Sequence, residues 1–192
     1  SMSIQSQQPA NRRGRPRKDR SEQIRIGGLD RSELLALYRN MFLSREIDDE
    51  EIRLKGKGQI YFQINGCGHE AVNTALGMVL KAGKDWFFPY YRDRALMLQL
   101  GLSPVEMLKT ATAAWDEPAG AGRQMPSHWG SERLQVVNQS SCTGSQCLHA
   151  VGCAEAWMKG ARSESLQASI RNWTDGEIAF VSIGEGTTSE GE

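Results

Sequence analysis

A glutamate stands between two glycines near the end of the printed chain, directly after an apolar run at residues 178–183. Glycines let backbone N–H groups approach a phosphate, and ligands of α/β proteins bind beyond the carboxyl ends of strands. A carboxylate repels a phosphate unless a divalent cation lies between them, and it then supplies an oxygen ligand. Gly184-Glu185-Gly186 therefore predicts a diphosphate held through Mg²⁺, whereas a plain turn is the commoner meaning of so short a pattern.

Two further stretches carry side chains suited to anion binding and polar contacts. Arg92 follows an aromatic run, and its guanidinium matches a diphosphate in geometry. The alternative for Arg92 is a surface ion pair with Asp93 or with a helix acid. His128 lies in the glycine-bounded loop 122–130, where it is either a contact in a catalytic loop or a structural hydrogen-bond donor.

Hydroxyl and amide side chains crowd residues 139–146, at the start of a predicted helix. Such side chains cap helices, because their oxygens accept hydrogen bonds from the first backbone N–H groups. They are equally able to supply oxygen ligands to a monovalent cation or contacts to a polar heterocycle. The sequence leaves these alternatives open.

The first helix that would position these residues begins at a capping box, Asp30 to Glu33. Apolar residues then recur at helical spacing, at Leu34, Leu37, Tyr38, Met41 and Phe42. The pattern predicts a helix to about Leu54.

Further helices are predicted at about residues 68–80, 103–115 and 145–158, and strands at 86–89 and 178–183. In the second helix Val72, Ala75, Leu76 and Val79 share a face, and in the last one small residues allow close packing against a neighbour. The third should begin with Ser103 as its N-cap. Residues 116–139 read as a long loop and 160–177 as a polar surface excursion. The apolar run 178–183 is typical of a central strand in a parallel sheet, which makes the class α/β.

Composition excludes several classes of function. The 23 basic and 23 acidic side chains cancel, which argues against electrostatic binding of the whole domain to nucleic acid or an acidic membrane. No apolar run approaches the roughly 18 residues of a membrane span, and no secretion signal is evident. The four cysteines form no C-x-x-C pair. We therefore expect a cytoplasmic protein with reduced thiols.

Residues 1–28 are polar and lack apolar periodicity, which predicts a disordered basic tail. The stretch Arg12-Arg13-Gly14-Arg15-Pro16-Arg17-Lys18 resembles an AT-hook, a minor-groove DNA-binding element. One hook binds weakly and basic tails are common, so we favour a solvated tail over DNA binding.

Five motifs occur together and in order, and their combination resembles the α component of the thiamine-diphosphate-dependent 2-oxo acid dehydrogenases, the E1 enzymes. They are Gly68-His69-Glu70-Ala71, Tyr91-Arg92-Asp93, Gly122-Arg123-Gln124-Met125-Pro126-Ser127-His128, Ser140-Ser141 with Ala150-Val151-Gly152, and Gly184-Glu185-Gly186-Thr187-Thr188-Ser189-Glu190-Gly191. The resemblance covers about residues 30–192. It implies the thiamine-diphosphate-binding fold, a parallel sheet flanked by helices, of which residues 29–192 would be an N-terminal part.

The resemblance also implies roles for individual residues. Contacts to thiamine diphosphate fall on Tyr91, Arg92, Ser141, Thr143, Gly184, Glu185, Gly186 and Thr187, with Arg92 at the diphosphate and Glu185 as the first Mg²⁺ ligand. A potassium site of branched-chain members falls on Ser140, Cys142, Ser145 and Gln146, where Cys142 would offer its backbone carbonyl. The chain departs from the family at Thr143, where a bulky aliphatic residue is usual. His128 is the one candidate catalytic residue.

Two positions favour a branched-chain substrate. Glu185 resembles the branched-chain enzymes, where many members of the family have aspartate. Ile64 stands where pyruvate enzymes of the mitochondrial type carry histidine, and an aliphatic residue suits a larger apolar substrate side chain. We therefore prefer branched-chain 2-oxo acids such as 3-methyl-2-oxobutanoate over pyruvate, and acetoin remains a further alternative.

The resemblance implies partners that complete the reaction. The cofactor would be shared with an E1 β component, separate or fused, in a homo- or hetero-oligomer, and the acyl group would pass to the lipoyl arm of E2. The family's later asparagine and histidine are not in this sequence, so we expect an inactive fragment of a longer protein. The rival class is a non-enzymatic, DNA-associated protein that uses the basic tail.

Overall fold

A computed structural model describes residues 25–169 and 176–190. The chain divides into two units, Ser1–Leu35 and Ala36–Glu192. Most of the predicted tail, including its AT-hook-like stretch, lies outside the described residues, as does Gly191. The helices are α1 (Arg31–Gly56), α2 (Glu70–Val79), α3 (Arg94–Leu100), α4 (Pro104–Ala111), α5 (Ser145–Gly160) and α6 (Glu164–Ser169), with strands β1 (Trp86–Phe88) and β2 (Ala179–Val181) and a 3-10 helix at Glu185–Ser189.

The two strands pair in parallel, with Phe87 opposite Phe180. This confirms the α/β class with helices flanking a parallel sheet. The backbone of Phe87 also accepts a hydrogen bond from Val137 N and donates one to Gln135 O, at 2.9 and 3.0 Å. Segment 135–137 thus covers the second edge of β1, which makes β1 the inner strand of the described sheet.

Strand β2 is less buried than its composition predicts. Within the described residues its hydrogen-bonded neighbour is β1 alone, and Ile178 is 51% exposed. The prediction of a buried central strand over 178–183 is therefore wrong for the described chain: the strand is shorter, and one of its edges is open.

The apolar core lies between β1, α3, α4 and the long loop before α5. Its members are mainly large aliphatic and aromatic side chains, namely Ile47, Phe87, Leu96, Met97, Leu100, Leu102, Met107, Trp129, Leu134 and Val136. Helix α3 contributes much of this core, although the sequence analysis did not predict it. The long loop also contributes, because Trp129, Leu134 and Val136 fold inward.

Helix α1 begins at the predicted capping box, in which Asp30 Oδ1 accepts Glu33 N and Glu33 Oε2 accepts Asp30 N, at 2.9 and 2.7 Å. Its buried face differs from the predicted apolar stripe, since Tyr38 is 61% exposed. Ser44, Ile47, Asp48 and Glu51 are buried instead. Three of these are polar, so a search for apolar periodicity could not find the face.

Other boundaries and faces also change. Helix α2 has the expected position, but Val72 and Val79 of its predicted apolar face are 57% and 69% exposed. Helix α4 has the predicted Ser103 capping box but ends at Ala111, well before Trp115. Among the small residues of α5, Ala150 is buried, whereas nothing lies within 4 Å of a Cβ added at Gly152.

The polar segment 160–177 is not purely irregular, because α6 occupies part of it. The stretch after β2 is a 3-10 helix rather than a simple glycine turn. No helix among the described residues has the length and apolar character needed to span a lipid bilayer.

Candidate functional site

Side chains from four separate stretches line one cleft of about 330 Å³. The lining residues are Phe62, Ile64, Tyr91, Arg92, Met125, His128 and Ser141. Five of these, Ile64, Tyr91, Arg92, His128 and Ser141, were singled out in the sequence. The structure therefore brings together residues that lie up to 77 positions apart in the chain (64 to 141).

The turn that follows β1 carries Tyr91 and Arg92 into this cleft. It is fixed by Asp93, whose carboxylate accepts hydrogen bonds from Tyr90 N (2.9 Å) and from the hydroxyl of Ser182. Ser182 follows β2, so the carboxyl ends of both strands are joined here. Burial raises the pKa of Asp93, and the bonds from Ser182 and Tyr90 oppose that rise.

Arg92 is anchored to backbone but keeps its charge uncompensated. Its Nη1 donates to Asn65 O at 2.8 Å, and its Cζ lies 5.2 Å from the centroid of the Tyr91 ring. Arg92 takes part in none of the ion pairs between described residues. The alternative of a surface ion pair with Asp93 is therefore wrong, and the guanidinium is available to an anion in the cleft.

His128 is buried and both of its ring nitrogens have partners. Nδ1 lies 3.1 Å from Pro126 O and Nε2 lies 2.9 Å from the Ser141 hydroxyl. A carbonyl only accepts, so Nδ1 carries the proton, and in the neutral ring Nε2 accepts from Ser141. The arrangement orients the Ser141 oxygen and gives His128 a structural role, while its contact role in a catalytic loop stays a prediction.

The glycine-rich stretch reaches the same region through Tyr90. A Cβ at Gly184 would lie 2.6 Å from Tyr90 Oη, so only glycine allows this approach. The Tyr90 ring in turn packs on Tyr91, with centroids 4.0 Å apart. Glu185 and Gly186 are exposed, while Thr187 is 7% exposed and its hydroxyl has no hydrogen-bond partner in the described structure.

Two of the predicted potassium ligands, Ser140 and Ser145, form hydrogen bonds with the backbone of Cys142. Ser145 Oγ donates to Cys142 O at 2.9 Å, and Cys142 N donates to Ser140 Oγ at 3.2 Å. Gln146 is buried, and its Nε2 donates to Ser182 O at 3.1 Å. The alternative, that side chains of residues 139–146 cap α5, is wrong. The N-cap of α5 is Gly144, with φ of 98° and no side-chain capping bond.

Not every predicted residue lines the cleft. Thr143, Gly184, Glu185, Gly186 and Thr187 are outside its lining. The two glycine-containing stretches do approach each other, because a Cβ at Gly144 would lie 3.1 Å from Thr187 Cγ2. Among residues 25–169 and 176–190 no three His, Cys, Asp or Glu side chains group as a metal site, so Glu185 is not part of such a group.

Two lining residues, Phe62 and Met125, were not predicted. Met125 belongs to a quoted motif, but its thioether has no distinct chemical signature there. Phe62 stands two positions before Ile64, in the segment for which a role in substrate selection was predicted, and its side chain forms part of the cleft lining.

The chain is an α/β protein with a cleft at the carboxyl ends of its parallel strands, the place where such proteins bind ligands. The chain belongs to the dehydrogenase E1 component family, whose profile matches residues 38–192. This confirms the resemblance to E1 α components, and the family implies thiamine diphosphate as the cofactor. The orphaned hydroxyl of Thr187, the uncompensated Arg92 and the close approach at Gly184 fit a diphosphate group.

Named relatives agree with this family. The chain is 33% identical over 165 residues to the 2-oxoisovalerate dehydrogenase subunit alpha of Bacillus subtilis, covering 86% of this chain and 46% of that protein. It is 31% identical over 165 residues to the mitochondrial subunit alpha 1 of Arabidopsis thaliana, with 84% and 31% covered. It is 27% identical over 156 residues to the 3-methyl-2-oxobutanoate dehydrogenase subunit alpha of Mycobacterium tuberculosis strain H37Rv, with 81% and 36% covered. The chain thus spans less than half the length of these relatives.

Proposed function

We propose that the whole protein is the α component of a thiamine-diphosphate-dependent dehydrogenase of branched-chain 2-oxo acids. The observation that carries the proposal is the cleft that Arg92, His128 and Ser141 line together with the apolar Phe62, Ile64 and Met125. The names of the relatives refer to 2-oxoisovalerate or 3-methyl-2-oxobutanoate dehydrogenases, and this supports a branched-chain substrate over pyruvate and acetoin.

In this proposal the chain holds the cofactor chiefly through its diphosphate. Arg92 neutralises phosphate oxygens, the Thr187 hydroxyl donates to one of them, and Glu185 supplies one ligand of Mg²⁺. Mg²⁺ usually keeps several waters and takes one or two carboxylates together with phosphates, so a lone protein carboxylate is sufficient. Tyr91, Ser141, Thr143, Gly184 and Gly186 would complete the surface around the cofactor.

When bound, thiamine diphosphate supplies the electron sink that decarboxylation of a 2-oxo acid requires. The protein's own contribution is to orient the groups around the reacting carbon. His128 holds the Ser141 hydroxyl in one direction.

The apolar wall explains the preferred substrate. Phe62, Ile64 and Met125 form the apolar part of the cleft lining, here called the apolar wall, and Met125 Sδ lies 3.5 Å from Ser141 Oγ. An isopropyl or isobutyl side chain would bury its carbons against this wall, at about 0.8 kcal/mol for each methylene group. Pyruvate has only a methyl group to offer and would leave part of the wall uncovered.

A potassium ion is the second cation that we propose. The Cys142 carbonyl, the hydroxyls of Ser140 and Ser145 and the amide oxygen of Gln146 are neutral oxygen ligands, the kind that a large monovalent cation accepts. Two hydrogen bonds, Ser145 to Cys142 O and Cys142 N to Ser140, support this proposal, because they bring both hydroxyls to the backbone of Cys142.

The partners would be an E1 β component, separate or fused, and the lipoyl domain of E2. The exposed apolar side chains of α2 and α5, such as Val79 at 69% and Leu148 at 71%, support a chain that is covered by another protein surface. Because bacterial and mitochondrial relatives both occur, a cytoplasmic location stays a prediction. The boundary between a tail at 1–28 and a domain from residue 29 stays a prediction as well.

The proposal is tested on the full-length protein assembled with its β component. We expect more CO₂ release from 3-methyl-2-oxobutanoate than from pyruvate. We expect no product from acetoin. Arg92→Met should weaken thiamine diphosphate binding, measured by calorimetry, by about 10- to 100-fold, as expected for loss of a charged hydrogen bond. Arg133→Met, which removes an exposed arginine elsewhere, is the control. Absence of decarboxylation of every 2-oxo acid tried would refute the proposal.

A further inference from the structure

A buried arginine lies directly behind the cleft. Arg94 begins α3 and is 1% exposed, and its Nε and Nη2 form ion pairs with Asp48 (3.0 Å) and Glu51 (2.7 Å) of α1. Both carboxylates are themselves buried. A buried charge cluster costs desolvation free energy, so its presence behind a functional cleft needs a reason beyond stability.

The cluster fixes the segment that carries Ile64. Arg94 Nη2 donates to Ile64 O at 3.4 Å, and Asp48 Oδ2 accepts Gly66 N at 2.9 Å. Between these two contacts, Asn65 O accepts the guanidinium of Arg92 at 2.8 Å. Backbone groups of three consecutive residues are thus held, two by the buried cluster and one by the cleft arginine.

The same guanidinium contacts both neighbours of His128. Arg94 Nη2 lies 3.2 Å from Ser127 Oγ, and its Cζ lies 5.5 Å from the centroid of the Trp129 ring. The cleft has one wall at Ile64 and another at His128. Ser127 donates to Ile64 O at 3.3 Å and so joins these two walls directly. Trp129 Nε1 donates to Tyr90 O at 3.1 Å and so connects this wall to the turn after β1.

Ser127 adopts a backbone conformation that needs such support. Its φ is 60°, in the left-handed region that residues other than glycine adopt at a cost. Its hydroxyl bonds to Arg94 and Ile64 O offset that cost and hold the residue in place. His128 follows in the next peptide unit, so the direction of its ring depends on this conformation.

We propose that Arg94 is a positioning residue, whose buried guanidinium holds the two walls of the cleft together and so sets the relative position of Ile64 and His128. It acts through Ser127, Trp129 and the backbone at Ile64, and it contacts neither substrate nor cofactor. The planar guanidinium reaches Asp48, Glu51 and Ser127 in one rigid fork, which the single ammonium of lysine cannot reproduce. The substrate part of this inference rests on the proposed function.

The first arm of the test needs no activity. The printed chain contributes three histidines to the full-length protein, and under histidine-selective ¹⁵N and ¹³C labelling the variant His128→Gln assigns the resonances of His128. We expect Arg94→Lys and Ser127→Gly to shift the His128 ring resonances, while those of the exposed His149 remain unchanged. Ser127→Gly removes the hydroxyl but relieves the backbone strain, so it separates positioning from stability.

The second arm measures steady-state kinetics with 3-methyl-2-oxobutanoate in the assembled enzyme. Arg94→Lys and Ser127→Gly should raise KM about tenfold or more and change kcat less, because a wall displaced by a fraction of an ångström fits the substrate side chain poorly. Arg53→Met is the matched control, since Arg53 forms an exposed ion pair with Glu50 on the same helix α1, and it should leave KM unchanged.

The outcomes separate this inference from the proposed function. If the two variants melt at lower temperature but keep the wild-type His128 resonances and KM, Arg94 is only structural and the inference is wrong. If the wild-type protein decarboxylates no 2-oxo acid, the proposed function fails, whereas the His128 resonances still decide whether Arg94 positions the wall.

Discussion

Gly184 is the point where the glycine-rich stretch comes nearest to the aromatic residues of the site. Its φ of −82° and ψ of 159° are open to any residue, so backbone strain plays no part. The reason for glycine is steric, since an added Cβ would lie 2.6 and 2.8 Å from Tyr90 Oη and Cζ. The residue is therefore required by a neighbour in space and not by its own turn.

Gly184→Ala should displace the Tyr90 ring and, through the packed rings, Tyr91. We expect a loss of about 1–3 kcal/mol in the free energy of unfolding, measured with urea, as for other overpacked sites. Gly186→Ala is the matched control for stability, because nothing lies within 4 Å of its added Cβ. An unchanged unfolding midpoint in Gly184→Ala would contradict the steric argument.

The buried carboxylates of α1 give the protein a specific pH dependence. Burial raises the pKa of Asp48 above 3.8 and that of Glu51 above 4.5, and the nearby Arg94 opposes both rises. A raised pKa means that the folded state binds protons more readily than the unfolded chain. The free energy of unfolding should therefore fall as pH rises from these ordinary values through the raised ones.

Glu51→Gln should reduce this fall, because one of the two titrating groups is removed. The measurement is urea denaturation at several pH values from 4 upward. Glu50→Gln is a useful contrast: the hydrogen bond from Arg53 lowers the pKa of the exposed Glu50, so this side chain contributes in the opposite direction. Identical pH profiles for wild type and Glu51→Gln would exclude a titrating role for Glu51.

At the residue scale, the sequence identified side chains with distinctive chemistry and missed those defined by burial. Arg92 and His128 stand in motifs whose residue types suggest anion binding and polar contact, and both line the cleft. Asp48 and Glu51 look like ordinary charges on a helix surface until Arg94 is brought against them. That pairing joins residues 43 and 46 positions apart, and no local pattern reveals it.

At the scale of elements, α2 and α3 form the closest helix pair near the site. A Cβ at Gly77 of α2 would lie 2.4 and 2.6 Å from Cγ and Cβ of Gln99 in α3. The helices also share hydrogen bonds with α1, since Asn40 donates to Thr74 Oγ1 at 2.8 Å and to Ala95 O at 2.9 Å. Helix α2 contacts the site through Asn73, which donates to Arg92 O at 3.1 Å.

Gly77→Ala should force these two helices apart. The obstructing atoms are close to the Gln99 backbone and cannot swing away, so we expect a loss of about 1–3 kcal/mol in the free energy of unfolding. Gly152→Ala in α5 has open space and should keep or slightly raise stability, because alanine favours helices by up to about 1 kcal/mol over glycine. Thermal melting of both variants checks the pair, and equal melting temperatures would contradict the packing argument.

Local sequence patterns predicted the positions of helices and strands better than they predicted the buried faces and the last residues of those elements. The Ser103 box and the strand at Trp86 follow from capping chemistry and aromatic content, which are local. The early end of α4 and the open face of α2 depend on which surfaces meet, and this is a tertiary property. Helix α3 escaped prediction because it is short and begins with a buried arginine.

At the scale of the whole molecule, the α/β class followed from two short apolar runs and the glycine stretch after the second. The third contributor to the sheet, segment 135–137, could not be predicted, because it lies within a polar loop and pairs with Phe87 across about fifty residues. Exposed apolar side chains also remain on α2 and α5, such as Val79 and Leu148, and their positions follow from the packing of the whole chain rather than from a local pattern.

Deletion of residues 1–28 tests the rival, DNA-associated class. Because a single AT-hook-like stretch binds weakly, we expect the full-length protein and the deleted form to share the same kcat and KM and to show no retention on A·T-rich DNA at 0.15 M salt. Mobility-shift assays and steady-state kinetics measure both properties. Strong DNA retention that disappears with the deletion would favour the rival class.

The indole of Trp129 offers an optical handle on the cleft. It is buried next to His128, donates to Tyr90 O and has the Arg94 guanidinium over its ring, whereas Trp115 is 85% exposed. A charge close to an indole changes the energy of its excited state. Small movements of the cleft wall at Ile64 or at His128 would therefore shift the emission wavelength of Trp129. With the other tryptophans replaced by phenylalanine, stopped-flow fluorescence would time the arrival of a cofactor without any label.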